Sequence, residues 1–489
     1  MSEPRKTEDR AHETLDPSDW ESLRSTAHRM VDDMLDYHRG IDDTPVWQPM
    51  PDAVKAAFHE EFPAEGTGED AAYKRFTQLI RPYPFGNIHP RGWGWVNGTG
   101  SSYLALAEMW SAAMNPNVWG GEHAAPYVEA QVITWAKKLL SMPEEATGVL
   151  VSGGSVANLV GLAAAREVAA PDVSVKGVRA QSAQLVVYAS EQAHNSIEKA
   201  VGLLGLGWSA LRGIPTDAEY RMDTAALEQA ITADIAAGNK PMAVVATAGT
   251  VNTGATDDLA AIADICARHG VWMHVDGALG ALIALSETLR PILNGIERAD
   301  SIAFDLHKWL YVPIEAGCVL VRDGAAHRKP FSPPAPYLAA FDRGIANGAH
   351  YFAGLGPQLT RSFRALKVWL ALQSQGTAKF GRLVEQNVGQ ARLLSDLIAA
   401  DPRLELAAPA PLNVVCFRYY VETVDDAGLN EVNREVLMRL QESGIAMPSS
   451  TELRGRFALR VAITNHRTTN ADIRRLAEEV VRIGDEVMG

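Results

Sequence analysis

The first clear pattern in the chain is that of an amphipathic helix. Asp19 can cap this helix, and apolar residues then recur at the three- and four-residue spacing of one helix face. These residues are Trp20, Leu23, Ala27, Met30, Val31 and Met34. Such a stripe needs an apolar partner, either within the chain or on a second subunit. A shorter second helix is predicted over residues 51–61, after a cluster of prolines.

From residue 148 onwards, short β-rich runs alternate with helical patterns. The strand candidates are residues 148–152, 184–189, 242–247, 271–276, 301–304 and 317–322. Between two of them, residues 257–269 place Leu259, Ile262, Cys266 and His269 on one helix face. Strands and helices that alternate at this spacing predict an α/β domain with a mostly parallel sheet covered by helices.

A different pattern begins near residue 376. We predict a helix to about residue 400, strands over 412–420 and 456–462, and helices over 429–443 and 470–487, which together indicate a small α+β domain. The predicted domains are an N-terminal helical segment (1–115), a large α/β domain (116–376) and a small C-terminal domain (377–489). Residues 331–356, rich in proline, glycine and alanine, are a candidate mobile lid.

Composition narrows the functional classes. The formal net charge of −14 over 489 residues disfavours a nucleic-acid surface, because phosphate backbones require clustered Lys and Arg. Cys266, Cys318 and Cys416 lie far apart and form neither a disulfide framework nor a metal-binding pattern, which predicts a reducing compartment and no metal. The charged N-terminus is unlike a signal peptide, and apolar stretches such as 278–285 fall short of the ~18 residues of a membrane span. We therefore expect a cytoplasmic protein with no nucleic-acid or membrane partner.

Two polar motifs fall at the ends of predicted strands. Residues 152–155, Ser-Gly-Gly-Ser, join a strand to a helix; the free amides there and the Ser155 hydroxyl can bind a phosphate, and Gly154 lets the backbone approach it. Alone this is a weak signal, because such turns are common in α/β proteins. Asp276 ends another strand, where its carboxylate could pair with a cationic ring nitrogen or simply cap a helix. Ala278 is small enough to lie under a flat ring.

Four further side chains follow predicted strands. Lys308 could be an ordinary surface lysine, but in a partly apolar pocket its amine can serve as the nucleophile of Schiff-base chemistry. His194 could stack on a planar cofactor or act as an acid or base, although a structural histidine is commoner, and Thr247 could merely form a turn. Together with His307, these groups share one edge of one predicted sheet. The set as a whole predicts a pyridoxal-phosphate site.

These motifs resemble those of the pyridoxal-phosphate-dependent group II amino-acid decarboxylases, of which the aromatic-L-amino-acid decarboxylases are best known. The most specific matches are HVDGA at 274–278 and DLHKW at 305–309. SGGS at 152–155, SEQAHNS at 190–196 and RSFRALK at 361–367 are also similar. The likeness covers nearly the whole chain. It implies a fold-type I enzyme that binds pyridoxal 5′-phosphate and works as a homodimer, with residues 1–115 wrapping the partner.

The resemblance also implies roles around the cofactor ring. Lys308 is expected to form the imine with the cofactor, His194 to stack on its ring, and Asp276 to pair with its ring nitrogen. Ala278 is expected to contact the ring, and Thr247 to lie nearby.

Around the phosphate, the resemblance implies Gly154, Ser155 and His307. Asp305 takes a position where animal relatives carry asparagine, so that an acid is expected near a dianion. Tyr337 lies 29 residues after Lys308 (337 minus 308), which is the family's spacing for a lid tyrosine that protonates the substrate carbon after carboxyl loss. A tyrosine there implies plain decarboxylation rather than oxidative deamination to an aldehyde.

The implied reaction is decarboxylation of an L-amino acid to its amine and CO2. Trp95, Thr99 and Trp119 could line an aromatic substrate pocket, whereas Arg91 could face the distal carboxylate of aspartate or glutamate. We favour the aromatic substrate. Two other hypotheses stay open, namely an oxidative deaminase or aldehyde synthase on the same scaffold and a cofactor-binding relative without catalytic activity.

Overall fold

In the computed structural model, the described residues are 14–333 and 341–489, and they form two compact units. The first unit comprises the described part of residues 1–44 together with 48–85, and the second comprises 45–47 and 86–489. Within the described ranges, no helix combines the length and the apolar character that crossing a membrane requires.

The first unit is helical. Its helices are α1 (Trp20–Arg39), α2 (Asp52–Ala56) and α3 (Glu69–Leu79). As predicted, the Asp19 carboxylate caps α1 by accepting hydrogen bonds from the next amides, and an ion pair between Arg29 and Asp70 at 2.5 Å joins α1 to α3. Apolar side chains such as Trp20 and Met30 nevertheless remain exposed within this unit.

A seven-stranded sheet organises the second unit. Its strands are β1 (Thr147–Val151), β2 (Leu185–Ser190), β3 (Leu211–Ile214), β4 (Lys240–Thr247), β5 (Trp272–Asp276), β6 (Ser301–Asp305) and β7 (Gly317–Val321). The spatial order is β1-β7-β6-β5-β4-β2-β3. Because β7 is antiparallel to both β1 and β6, strand β1 runs in the same direction as the parallel strands. The carboxyl ends of β1, β2, β4, β5 and β6 therefore meet at one edge.

Helices cover this sheet and continue to the end of the chain. In order they are α4 (Ser102–Met114), α5 (Ala124–Leu139), α6 (Gly154–Ala169), α7 (Val173–Lys176), α8 (Ser196–Leu203), α9 (Thr224–Ala236), α10 (Leu259–His269), α11 (Leu306–Trp309), α12 (Gly324–Arg328), α13 (Arg364–Ala400), α14 (Asp426–Glu442) and α15 (Asn470–Met488). The long α13 is interrupted at Gly376, whose φ of 70° lies in the left-handed region that glycine tolerates.

A second, antiparallel sheet lies in the C-terminal part. Its strands are β8 (Leu404–Leu406), β9 (Val414–Tyr419), β10 (Ser449–Leu453) and β11 (Arg456–Ala462), in the spatial order β10-β11-β9-β8. The predicted fold class, a mostly parallel large sheet with a smaller α+β part, is confirmed. Three edge strands, β3, β8 and β10, had not been predicted, because short or polar edge strands lack the apolar run that marks a buried strand. The predicted domain boundaries stay a prediction.

A buried ion pair joins α5 to the segment that precedes α13. Arg361 and Glu129 are almost fully buried, and their charged atoms lie 2.5 Å apart. The Arg361 guanidinium also donates hydrogen bonds to the carbonyl oxygens of Val118 and Leu150, while the Leu150 amide donates to the Glu129 carboxylate. Two charges withdrawn from water are thus surrounded by hydrogen-bond partners, as a buried pair requires.

Breaking this pair should destabilise the protein strongly. In Arg361→Ala, Glu129 stays buried without its cation, so we expect the free energy of unfolding to fall by about 3–5 kcal/mol. The urea unfolding midpoint followed by circular dichroism measures this change. The control is Arg482→Ala, which removes an exposed arginine from ion pairs on the surface of α15 and should leave the midpoint nearly unchanged. Equal midpoints for both variants would contradict the assignment.

Candidate active site

A cavity of about 490 Å³ opens at the edge where the parallel strands end. Nearly all the side chains singled out in the sequence line it. They are Trp95, Gly154, Ser155, His194, Thr247, Asp276, Ala278, Asp305, His307 and Lys308. The shared direction of five strands is the reason that these residues, drawn from more than 200 positions of the chain, converge (308 minus 95 is 213).

Two predicted residues, Thr99 and Trp119, do not line this cavity in the described structure. Thr99 is buried elsewhere, and the Trp119 ring packs edge-on against Tyr351. Tyr337 lies outside the described residues, as do positions 334–340 of the candidate lid.

One end of the cavity is built from the start of α6. The first amides of an α-helix have no acceptor inside the helix, and here they belong to Gly154 and Ser155 at the cavity wall. A Cβ on Gly154 would lie 3.1 Å from both Ala278 Cβ and an Asp305 carboxylate oxygen, so the wall is closely packed at this point. Free amides and a serine hydroxyl at a helix N-terminus favour an anionic group such as a phosphate.

The lysine lies in the turn that follows β6. Lys308 Nζ is 3.0 Å from an Asp305 carboxylate oxygen, and both side chains are largely buried. His307 Nε2 lies 3.8 Å from the same oxygen. Burial lowers the pKa of His307, and the nearby Asp305 partly offsets that effect. The turn therefore presents an amine, an imidazole and a carboxylate together.

At the end of β5, Asp276 is held by two hydrogen bonds. One carboxylate oxygen accepts from the Ala278 amide at 3.1 Å, and the other accepts from the Asn158 side-chain amide at 2.9 Å. The side chain is buried, yet it contributes to the cavity wall. A buried carboxylate oriented in this way can hold a cationic ring nitrogen.

The imidazole of His194 faces the cavity after β2. Its Nδ1 accepts a hydrogen bond from the Ser196 amide at 3.2 Å and lies 2.8 Å from the Ser196 hydroxyl. Desolvation by the surrounding protein lowers the pKa of His194, an effect that the charge of Asp276 opposes and that of Lys308 reinforces. The ring is therefore biased towards its neutral form.

Sequence reasoning did not single out several residues that line the cavity, among them Asn158, Ser196 and Arg460. Ser196 ends the SEQAHNS motif, two residues after His194, and Asn158 lies one helical turn after Ser155. Arg460 reaches the cavity from β11, where its guanidinium donates to the carbonyl oxygens of Val251 and Asn252. The available signal for Arg460 was a charge in the middle of the strand, flanked on both sides by apolar residues.

These residues fit a planar pyridine ring that carries a phosphate. The Thr247 hydroxyl and one Asp305 carboxylate oxygen line the cavity, are buried, and have no hydrogen-bond partner within the described part of the chain. Buried polar atoms normally have partners, so the Thr247 hydroxyl points to a polar group that the site is built to receive, whereas the Asp305 oxygen, which can only accept, requires a hydrogen-bond donor and not a phosphate oxygen. The amine, the ring-nitrogen carboxylate and the anion-binding helix start supply the remaining complementary groups.

Comparison with known proteins agrees with this chemistry. The family described as "Pyridoxal-dependent decarboxylase conserved domain" matches residues 51–420. The chain belongs to this family. It is 32% identical to an aromatic-L-amino-acid decarboxylase of Bacillus atrophaeus, with 96% of both chains covered. It is also 31% identical to tryptophan decarboxylase 1 of Oryza sativa subsp. japonica, covering 97% of this chain and 96% of the relative.

Solved structures give the same result. The Oryza sativa decarboxylase in complex with pyridoxal phosphate and tryptamine superposes with a TM-score of 0.90 at 28% identity, over 97% of this chain and 100% of that one. Tryptophan decarboxylase of Catharanthus roseus, solved with L-tryptophan, gives a TM-score of 0.87 at 28% identity and the same coverage. The predicted family, fold and cofactor are therefore confirmed, and this pyridoxal-dependent decarboxylase is a carboxy-lyase. The roles of individual site residues stay predictions.

Gly98 provides a test of how tightly the lysine turn is held. A Cβ at this position would lie 1.6 Å from the His307 carbonyl oxygen, so Gly98→Ala must displace the backbone beside Lys308. We expect the purified variant to retain less than a tenth of the wild-type bound pyridoxal phosphate, measured by alkaline release and absorbance. The control, Gly389→Ala, adds a methyl group in open space on α13 and should retain full cofactor content. Full cofactor content in Gly98→Ala would show that the turn is not constrained in this way.

Proposed function

We propose that this decarboxylase converts an aromatic L-amino acid to the corresponding amine and CO2. The observation that carries the proposal is the convergence of the Lys308 amine, the Asp276 carboxylate, the His194 ring and the start of α6 on one cavity. Bound pyridoxal phosphate supplies an electron sink for the pair released when the carboxylate leaves. The protein must supply binding, orientation and proton transfer.

The proposed binding roles follow the geometry of the cavity. Lys308 Nζ holds the cofactor covalently, and Asp276 keeps a proton on the ring nitrogen, which its buried oxygens can approach. The His194 ring covers one face, while Ala278 leaves room on the wall beside Asp276. Thr247 Oγ1 offers a hydrogen bond at the end of β4.

The phosphate end is proposed to involve Gly154, Ser155 and His307. The two amides at the start of α6 and the Ser155 hydroxyl donate to it. Asp305 lies at the same end, where its ion pair with Lys308 at 3.0 Å keeps one carboxylate oxygen occupied. We propose that Asp305 orients the Lys308 amine rather than contacting the phosphate.

Orientation and proton transfer complete the proposed cycle. The cavity walls would orient the substrate so that the bond to its carboxylate, and not another, is broken. Tyr337 would then deliver a proton from its hydroxyl to the substrate carbon, with His194 assisting the transfer. Lys308 would hold the cofactor in the resting enzyme.

The preference for an aromatic substrate has two supports beyond the names of the relatives. Trp95 lines the cavity with an exposed ring, which provides a flat apolar surface. Arg91, the candidate for binding a distal carboxylate, instead forms an ion pair with Asp472 at 3.2 Å and donates to the Ile445 carbonyl oxygen. This engagement disfavours an aspartate or glutamate decarboxylase.

We also propose that the enzyme is a homodimer and resides in the cytoplasm. Helix α4 exposes Tyr103, Met109, Trp110 and Met114, an apolar surface that a second subunit would cover. In the first unit, α1 likewise exposes Trp20 and Met30. All three cysteines are buried free thiols, which suits a reducing compartment.

Replacement of the lysine tests the cofactor bond and the reaction. Lys308→Ala should lose the imine absorbance that borohydride bleaches, together with all decarboxylation, because no other amine in the described structure lines the cavity. Wild-type enzyme assayed against twenty amino acids and DOPA should release CO2 fastest from aromatic substrates, without hydrogen peroxide. A persistent imine in the variant would exclude Lys308. Stoichiometric peroxide would identify an aldehyde synthase, and faster turnover of aspartate or glutamate would overturn the proposed substrate class.

Light scattering tests the dimer. The holoenzyme should have about twice the chain mass of 52.8 kDa. Trp110→Glu places a charge on the exposed face of α4 and should shift the mass towards that of the monomer, because an unpaired charge in an interface is costly. Trp208→Glu alters another exposed tryptophan, away from α4, and should remain dimeric. A monomeric wild type, or equal dissociation in both variants, would refute the proposed interface.

A further inference from the structure

A buried chain of hydrogen bonds leads from Trp272, the first residue of β5, to the cavity at the other end of that strand. The Trp272 indole nitrogen lies 2.8 Å from Ser301 Oγ, which lies 2.7 Å from His274 Nδ1. On the other side of the imidazole, His274 Nε2 lies 2.9 Å from the side-chain oxygen of Asn158. The Asn158 nitrogen then reaches Asp276 at 2.9 Å and Ser196 at 3.0 Å.

The donor and acceptor roles along this chain follow from Asp276. A carboxylate can only accept, so the Asn158 atom that faces Asp276 is its nitrogen, which also donates to Ser196. The Asn158 oxygen therefore faces His274 and accepts from its Nε2–H. In the neutral ring Nδ1 then accepts from the Ser301 hydroxyl, and Ser301 Oγ accepts from the Trp272 indole.

The last link reaches the cavity histidine. The Ser196 backbone amide donates to His194 Nδ1, so this nitrogen is an acceptor. Ser196 Oγ, 2.8 Å from the same nitrogen, can therefore only donate to it while it accepts from Asn158. With two donors aimed at Nδ1, the proton of a neutral His194 must sit on Nε2.

The hydrogen-bonded side chains are closely packed and shielded from solvent. Asn158, Ser196, His274 and Ser301 are all 2% exposed or less. Burial lowers the pKa of His274 to about 4, so this residue stays neutral and both ring nitrogens keep their distinct roles at neutral pH. A Cβ on Gly161 would come within 2.6 Å of the His274 ring, so the glycine leaves the space that this imidazole occupies.

We propose that Asn158 is a positioning residue that fixes His194 as its Nε2–H tautomer and orients Asp276 through one hydrogen-bond chain that starts at Trp272. This inference rests on the proposed function, because it concerns how the two groups are presented to the cofactor and substrate. Asn158 joins the two groups because it sits at the branch point, with one acceptor facing His274 and two donors facing the cavity.

The direction of the expected change comes from the Ser196 hydroxyl, because the other influences on His194 stay in place. Burial lowers the pKa of His194 most strongly, Asp276 and Asp305 raise it, and Lys308 and Lys199 lower it. Without Asn158, the Ser196 hydroxyl is free to rotate and accept a proton from Nδ1. Protonation of His194 then becomes easier, and its titration midpoint moves to higher pH.

The experiment uses holoenzyme labelled with 15N-histidine, and the loss of one signal pair in His194→Gln assigns that residue. In the wild type, His194 should show a bare Nδ1 and a protonated Nε2 at neutral pH. In Asn158→Leu, which keeps the branched shape of the side chain but removes its hydrogen-bonding atoms, the midpoint should rise by at least one pH unit. The acid limb of the kcat/KM profile should move with it, while kcat falls about ten- to hundredfold, as expected for loss of a residue that orients a reactive group, and KM changes little.

Two further variants separate positioning from a merely structural role. Ser196→Ala should produce a similar shift, and the double variant Asn158→Leu/Ser196→Ala should add little to it, because both residues act through one chain. Asn433→Leu removes an equally buried asparagine of α14 that bonds to Leu429 on the same helix and to Tyr419 of β9, and it should leave the His194 midpoint in place.

Each result is decisive. A proton on Nδ1 of His194 in the wild type would overturn the proposal, even if neither Asn158→Leu nor Ser196→Ala folds. An unchanged midpoint in Asn158→Leu, or an equal shift in Asn433→Leu, would do the same. The spectrum requires bound cofactor but no turnover, so it can fail while CO2 release succeeds, and the reverse also holds.

Discussion

The shared direction of five strands is the constraint on which the site depends. Parallel strands place their carboxyl ends at one edge, and there each loop can contribute one chemical group without a buried connection. The sheet therefore brings an amine, two carboxylates and an imidazole together although they come from distant parts of the sequence. The antiparallel β7 does not disturb this arrangement. It lies between β1 and β6 and is antiparallel to both, so β1 still runs in the same direction as the other strands.

Much of this site could be predicted because each main group follows directly on a strand. Asp276, His194 and Lys308 required the strand pattern and the motif chemistry. Asn158 could not be found in that way, since its meaning lies in partners 38, 116 and 118 residues distant, and only packing shows which of them face it. The pattern of apolar and polar residues indicates where strands end, but it gives almost no information about which side chains contact each other within the core.

The tryptophans around residue 95 show that sequence patterns also do not reveal which side chains of an irregular loop are buried. Trp93 and Trp95 stand two positions apart in one glycine-rich loop, yet the first is fully buried and bonded to Thr468 while the second lies open in the cavity. In an irregular loop there is no period of two or 3.6 residues to separate inward from outward positions. The family likeness gave the chemistry correctly, but Thr99 and Trp119, chosen from the same region, do not line the cavity in the described structure.

Because β1 is an edge strand, its pairing depends on a strand that is synthesised much later. Its hydrogen-bonded neighbour is β7, which begins 170 residues later (317 minus 147). The Gly154 turn is thus synthesised before the other strand-end groups of the site, but β1 cannot complete its backbone pairing until every other strand of the cavity edge has been made. Closing so long a loop is costly in chain entropy. The wall that holds the phosphate-binding amides therefore depends on one of the most distant strand pairings in the sheet.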